Sequence, residues 1–136
     1  MLILTNTGSQ ELAPGQSVVY NLVILHMGRG ECYREGSGSV VLGQRNALYD
    51  IDFGANIGTT TAASPAQLDI MLNGSPLVET TMISTTATIG DLNNVSRHTT
   101  IRTCCCCPET ITITNTGETT ITVEDPSLSV KPIVAR

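Results

Sequence analysis

Four consecutive cysteines, Cys104 to Cys107, followed by Pro108, are the residues of this 136-residue chain best equipped for chemistry, and Cys32 is the fifth thiol. Disulfides, unbonded buried thiols and a metal site are all open to such a block. Structural zinc takes four thiolates at ~2.3 Å, usually from two Cys-x2-4-Cys pairs. Consecutive residues at a strand end alternate faces, Cys104 with Cys106 and Cys105 with Cys107. That geometry spoils a tetrahedral site within one chain, although one cysteine from each of three chains can ring an axis. Disulfides within or between chains are therefore the leading reading, with Cys32 paired to one member of the block, and no metal ligand is assigned. The odd total leaves at least one thiol free or joined to another subunit. In oxidising surroundings, bridges between subunits would harden an assembly. No base is placed near Cys104, so it is not read as a nucleophile.

The other polar candidates offer less. His26 and His98 are isolated, and a lone histidine is more often a hydrogen-bonded structural residue than a ligand. Asp50 and Asp52 fall on one face of a strand whose other face carries Tyr49, Ile51 and Phe53. Such a pair can bind calcium or serve as acid and base, but solvent-facing or interface residues are the favoured reading. Asp69, on the following strand, would strengthen a cation site if it lay beside them, and that question stays open. Asn73-Gly-Ser75 and Asn94-Val-Ser96 fit a glycosylation pattern, read as idle without a secretory signal. No nucleophile elbow, phosphate-cradling loop or His-Glu-x-x-His is present. No catalytic residue and no cofactor are assigned, and the chain is not read as an enzyme.

The net charge of −5, from 12 acidic and 7 basic residues, lacks the basic stripe that nucleic-acid binding needs. Charged residues are 14% of the chain, against about 25% ordinarily. Twenty threonines imply a surface made largely of hydroxyls and amides. No run reaches the ~18–20 apolar residues of a membrane span. The segment Met1-Leu-Ile-Leu-Thr-Asn has neither the basic flank nor the apolar length of a secretory signal. A place outside the cell would then be reached by lysis or assembly.

Period-2 alternation and short apolar runs, broken by Gly, Asn and Pro, dominate the chain. Strands are expected at residues 2–5, 17–25, 39–42, 47–57, 66–72, 76–85, 95–103, 111–113, 121–123 and 127–134, with a loop over 27–38. The run containing Val19, Leu22, Val23, Ile24 and Leu25 is too continuous for a half-exposed strand. Asn73-Gly74 is a strong hairpin turn, and a second hairpin is expected around Asn115-Thr116-Gly117. The strand-then-turn pattern of Leu4 to Gly8 recurs at Ile113 to Gly117, read first as two independent turns and otherwise as neighbouring edge units. Tyr49, Ile51, Phe53, Leu68, Ile70 and Leu72 are the expected core. About nine or ten short antiparallel strands at this spacing make one all-β domain over 1–136, a sandwich or barrel.

Three segments carry a resemblance. Ala47-Leu-Tyr-Asp-Ile-Asp-Phe-Gly-Ala-Asn56 resembles the central strand of complement-type and tumour-necrosis-factor-like jelly rolls. Ala66-Gln-Leu-Asp-Ile-Met-Leu-Asn-Gly-Ser-Pro-Leu77 resembles their next hairpin, and Gly90-Asp-Leu-Asn-Asn-Val-Ser96 the turn before their penultimate strands. The likeness covers about residues 40–103, and the cysteine block is not part of it. It implies a jelly-roll sandwich and a homotrimer packed along one sheet edge around a threefold axis. Bacterial and phage members of the group occur on spore surfaces and as phage head fibres and capsid decoration proteins. The expected role is therefore a non-enzymatic structural protein on a virion or other extracellular particle. Its partners would be its own copies and a capsid or other lattice, with no nucleic acid and no membrane. The alternative is a spore-surface or adhesive module that recognises a host glycan or protein. Loops 28–38 and 58–65 are the expected contacts in either case.

Overall fold

A computed structural model describes residues 1–28, 30–34, 36–61, 64–106 and 108–135, with backbone alone at 134 and 135. Its strands are β1 (Leu2–Thr5), β2 (Gln10–Leu12), β3 (Leu22–His26), β4 (Glu31–Tyr33), β5 (Val40–Leu42), β6 (Ala47–Thr59), β7 (Pro65–Leu72), β8 (Ser75–Pro76), β9 (Met82–Thr85), β10 (Asn93–Arg102), β11 (Glu109–Asn115) and β12 (Ile121–Ala135). A 3₁₀ turn spans Val78–Thr80. Among the described residues no helix is long and apolar enough to cross a membrane.

The strands form two antiparallel sheets. The first runs β10-β6-β12-β1-β3, with β2 also on β12. The second runs β4-β5-β11-β7, with β8 and β9 paired to β7. From β5 onward the chain passes back and forth between the sheets, winding the expected jelly roll. Between them lies an aliphatic core with few rings, because the chain holds one Phe, three Tyr and no Trp. On β6 the alternation is strict: Tyr49, Ile51, Phe53, Ala55 and Ile57 are buried, while Asp50 and Asp52 face outward. Leu68 and Ile70 are buried opposite them, and Leu72 is only partly buried against the cluster. The Asn73-Gly74 turn has φ of 52° and 85°, the left-handed pair that a two-residue hairpin requires.

Four local expectations are corrected. The run 17–25 is not one strand, because it changes sheets midway. Val18 N–H donates to Ile113 O at 2.8 Å in the second sheet, and Asn21 N–H donates to Thr5 O at 3.1 Å in the first. At the crossing, side chains satisfy the backbone: Val19 N–H donates to Gln10 Oε1 and Tyr20 N–H to the Tyr33 hydroxyl. The loop expected over 27–38 contains β4. The return strand expected over 76–85 is broken into β8, the 3₁₀ turn and β9, where Thr80 Oγ1 accepts from Ile70 N–H at 3.0 Å. The hairpin expected around Asn115 does not form, since β11 and β12 lie in different sheets. The turn chemistry there is nonetheless the expected one. Asn6 Oδ1 accepts from Gly8 N–H at 2.8 Å, and Asn115 Oδ1 accepts from Gly117 N–H at 2.9 Å. The echo between the two segments is thus one Asx turn used twice.

Tyr20 packs edge-on against Tyr33, ring centroids 5.9 Å apart, and its buried hydroxyl has no hydrogen-bond partner among the described residues. Burial first, and the Tyr33 phenol second, push the Tyr20 phenol well above its ordinary value near 10. Folded and unfolded chains both keep this proton below about pH 10. Above that, only the unfolded chain releases it, so stability is lost as pH rises toward the folded-state value. Tyr20→Phe removes this penalty and an unpaired hydroxyl. We expect it to hold or raise stability by about 1 kcal/mol near neutrality and to flatten the alkaline decline. Urea titrations at about pH 8 and about pH 11 check this. A loss above about 1 kcal/mol at the lower pH would show that the hydroxyl has a partner after all.

Candidate functional site

The outer face of the first sheet brings several polar and titratable side chains together. Cross-strand register places His98 of β10 opposite Asp52 of β6, Thr100 opposite Asp50, and Ser129 of β12 beside Asp52. His98 Nε2 lies 3.1 Å from Asp50 Oδ1, and Thr100 Oγ1 donates to the same oxygen at 3.0 Å. Both members of the His98–Asp50 pair are partly exposed, where an ion pair contributes about 0–1 kcal/mol. An open depression of about 530 Å³ beside them is lined by Asp52, Glu79, Ser96, Arg97, His98 and Ser129, among others. Arg97 is held by its Nε–H, which donates to Thr81 O at 3.3 Å. No hydrogen bond joins His98 to a serine hydroxyl among the described residues; its hydrogen-bond partner is Asp50. His26 is also structural in its contacts, its Nε2 lying 3.1 Å from Glu31 O.

Asp69 does not join the other two carboxylates. β6 and β7 are consecutive in the chain but belong to opposite sheets. Asp69 is buried, accepting from the hydroxyls of Thr81 and Thr116, the latter at 2.7 Å. Asp69 points away from the core as strand alternation implies, but it is not open to solvent, because Thr81 and Thr116 cover it. Glu31, within the stretch read as a loop, is likewise buried on β4, with Oε2 unpaired and Oε1 3.3 Å from the Met1 amino group. Its charge acts on Tyr49, whose hydroxyl donates to Gly30 O at 3.1 Å. Burial is the main cause that raises the Tyr49 phenol, the Gln44 N–H bond opposes it, and the Glu31 charge adds to it.

The cysteines are arranged otherwise than expected. No disulfide joins any two described cysteines. Cys32 lies on β4 in the second sheet, opposite Val41 of β5. Cys104, Cys105 and Cys106 lie past the end of β10, in a bend at Cys105 and Cys106 rather than in extended strand, so their side chains do not alternate. The Sγ atoms of Cys104, Cys105 and Cys106 instead all lie within 4.8 Å of one another, and all three residues are exposed. Cys105 and Cys106 sulfurs are 3.5 Å apart, and Cys106 N–H donates to Cys104 Sγ at 3.3 Å. The hydrogen bond with Cys105, then the bond to and charge of Cys104, raise the Cys106 thiol. Cys107 lies outside the described residues, as do parts of loops 28–38 and 58–65, at residues 29, 35, 62 and 63.

The feature least visible in the sequence is apolar. β3 is the end strand of the first sheet, paired only with β1. Its Leu22, Val23 and Ile24 are 46%, 40% and 59% exposed, and Met27 follows at 61%. The interior position expected for this run is therefore wrong. A continuous apolar strand does read as one covered on both faces, but here the cover is missing. At the opposite lateral side, where β10 packs on β9 and the 3₁₀ turn, Val78, Ile83 and Ile89 form a second exposed group.

The sequence matches no protein-family description and no curated protein. Solved structures do match. The globular domain of zebrafish complement 1qA protein superposes with a TM-score of 0.64 at 10% identity, over 94% of each chain. CBM35 from Cellvibrio japonicus Abf62 covers 99% of this chain and 100% of its own, at 10% identity and a TM-score of 0.47. With two antiparallel sheets wound as described, the chain has the jelly-roll sandwich fold that the globular domain of complement 1qA exemplifies.

Proposed function

We propose that this chain is a non-enzymatic structural protein that assembles as a homotrimer on the surface of an extracellular particle, as a phage capsid decoration or head-fibre protein would. The observation that carries the reading is the bare apolar strand β3. An end strand offers unpaired backbone groups, and proteins that stay monomeric blunt such edges with Lys, Pro or a covering loop. β3 has neither Lys nor Pro, and it exposes three large aliphatic side chains in succession. The second apolar group lies on the opposite lateral side. Two unlike patches on opposite sides suit a head-to-tail contact, which closes into a ring when the rotation permits. The jelly-roll resemblance supports three copies in that ring.

A second reading is favoured by the depression around Asp52, Arg97 and His98. It is open and offers Asp52, Glu79, Arg97, His98 and serine side chains, groups that can hydrogen-bond the hydroxyls of a glycan. Immunogold labelling of particles released by producing cells separates the two. Gold distributed over the particle shell supports the structural role. Gold absent from released particles overturns it, and label confined to filament tips favours the adhesive module.

A further inference from the structure

The bend between β10 and β11 brings three exposed thiols together. We propose that Cys104, Cys105 and Cys106 of a single chain form a binding site for one thiophilic d10 cation of the Zn(II), Cd(II) or Cu(I) class. The geometry is close to what such a site needs. Metal–sulfur bonds of ~2.3 Å place tetrahedral or trigonal ligand sulfurs about 3.8–4.0 Å apart. The three Sγ atoms already lie within 4.8 Å of one another, and one pair is 3.5 Å apart. Shifts of well under 1 Å in side chains that are exposed on a bend would complete the ring.

The surroundings support ligation. The bend is anchored at its start, where buried Thr103 donates through its N–H to Ala47 O at 2.8 Å and through Oγ1 to Gln44 O at 2.7 Å. Asn46 N–H donates to Cys104 O at 3.2 Å. The first ligand therefore sits on a fixed backbone. The Cys106 N–H aimed at Cys104 Sγ, 3.3 Å away, is the kind of donor that stabilises a metal-bound thiolate. Thiolates select soft cations over Mg or Ca. Three sulfurs also leave a coordination position open to water or an outside ligand. Binding exchanges three S–H protons for three metal–sulfur bonds with no change in oxidation state, so affinity rises with pH.

The test is titration of the full, reduced chain with Cd(II), followed by sulfur-to-metal charge-transfer absorption and by proton release. One Cd(II) per chain is expected. Cys104→Ser and Cys106→Ser should each weaken binding by at least ~100-fold, since loss even of outer-sphere partners costs 10–100-fold. Cys32→Ser should bind as the native chain does, and Cys107 is kept in every variant. Cys32, Cys104 and Cys106 are exposed, so unchanged circular dichroism will confirm that the variants fold. No charge-transfer band while the thiols titrate as reduced overturns the proposal. So does one Cd(II) per three chains, which would place the site on a shared axis, or a dependence on Cys32.

Discussion

Phe53→Ala is expected to lower the unfolding free energy by about 3–5 kcal/mol, the range for removing a buried ring from a packed core. The ring is 2% exposed at the middle of β6, between β10 and β12, where Arg97 and Leu128 are its cross-strand neighbours. Rings elsewhere cannot compensate, because it is the chain's sole Phe and there is no Trp. The aliphatic residues around it are held in two sheets on all sides, which limits how far the cavity can collapse. Denaturant unfolding at fixed protein concentration, with the slope compared to the native chain, measures the loss. A loss below about 1 kcal/mol would mean the sandwich repacks freely around β6.

Charging β3 should have its largest effect on assembly. Leu22→Lys combined with Ile24→Lys places two ammonium groups on side chains that are 46% and 59% exposed. Because both are already open to solvent, the fold should change by no more than about 0.5 kcal/mol. In an interface core the same lysines would be buried without partners, which is strongly unfavourable. The variant should sediment as a monomer with unchanged far-ultraviolet dichroism. A variant that keeps the native mass would remove β3 from the interface.

Much of the frame was readable from the residues. Tyr49, Ile51 and Phe53 against Asp50 and Asp52 is a period-2 pattern with one answer. Asn73-Gly74 is a turn that few other dipeptides make so well. What escaped was whatever depended on partners far along the chain. Val18 and Leu22 look like one strand until the backbone bonds show Val18 on β11 and the next stretch on β1. The residues around Ile113 and Ile121 look like a hairpin, yet the chain crosses between layers there. Alternation told which way Asp69 points but not that Thr81 and Thr116 would cover it. The same rule misled about the cysteines. It holds for extended backbone, and the block lies in a bend, so three sulfurs meet where two faces were expected. The exposed β3 was hidden for a related reason: an apolar run does not distinguish a strand covered by its own chain from one left bare.

Self-assembly through the bare β3 edge is read out by the native mass under reductant. Light scattering over a range of concentrations should give a stable species of three times 14.4 kDa. Reductant should not alter it, since no disulfide joins the described cysteines. A chain that remains at 14.4 kDa at every concentration would contradict the account.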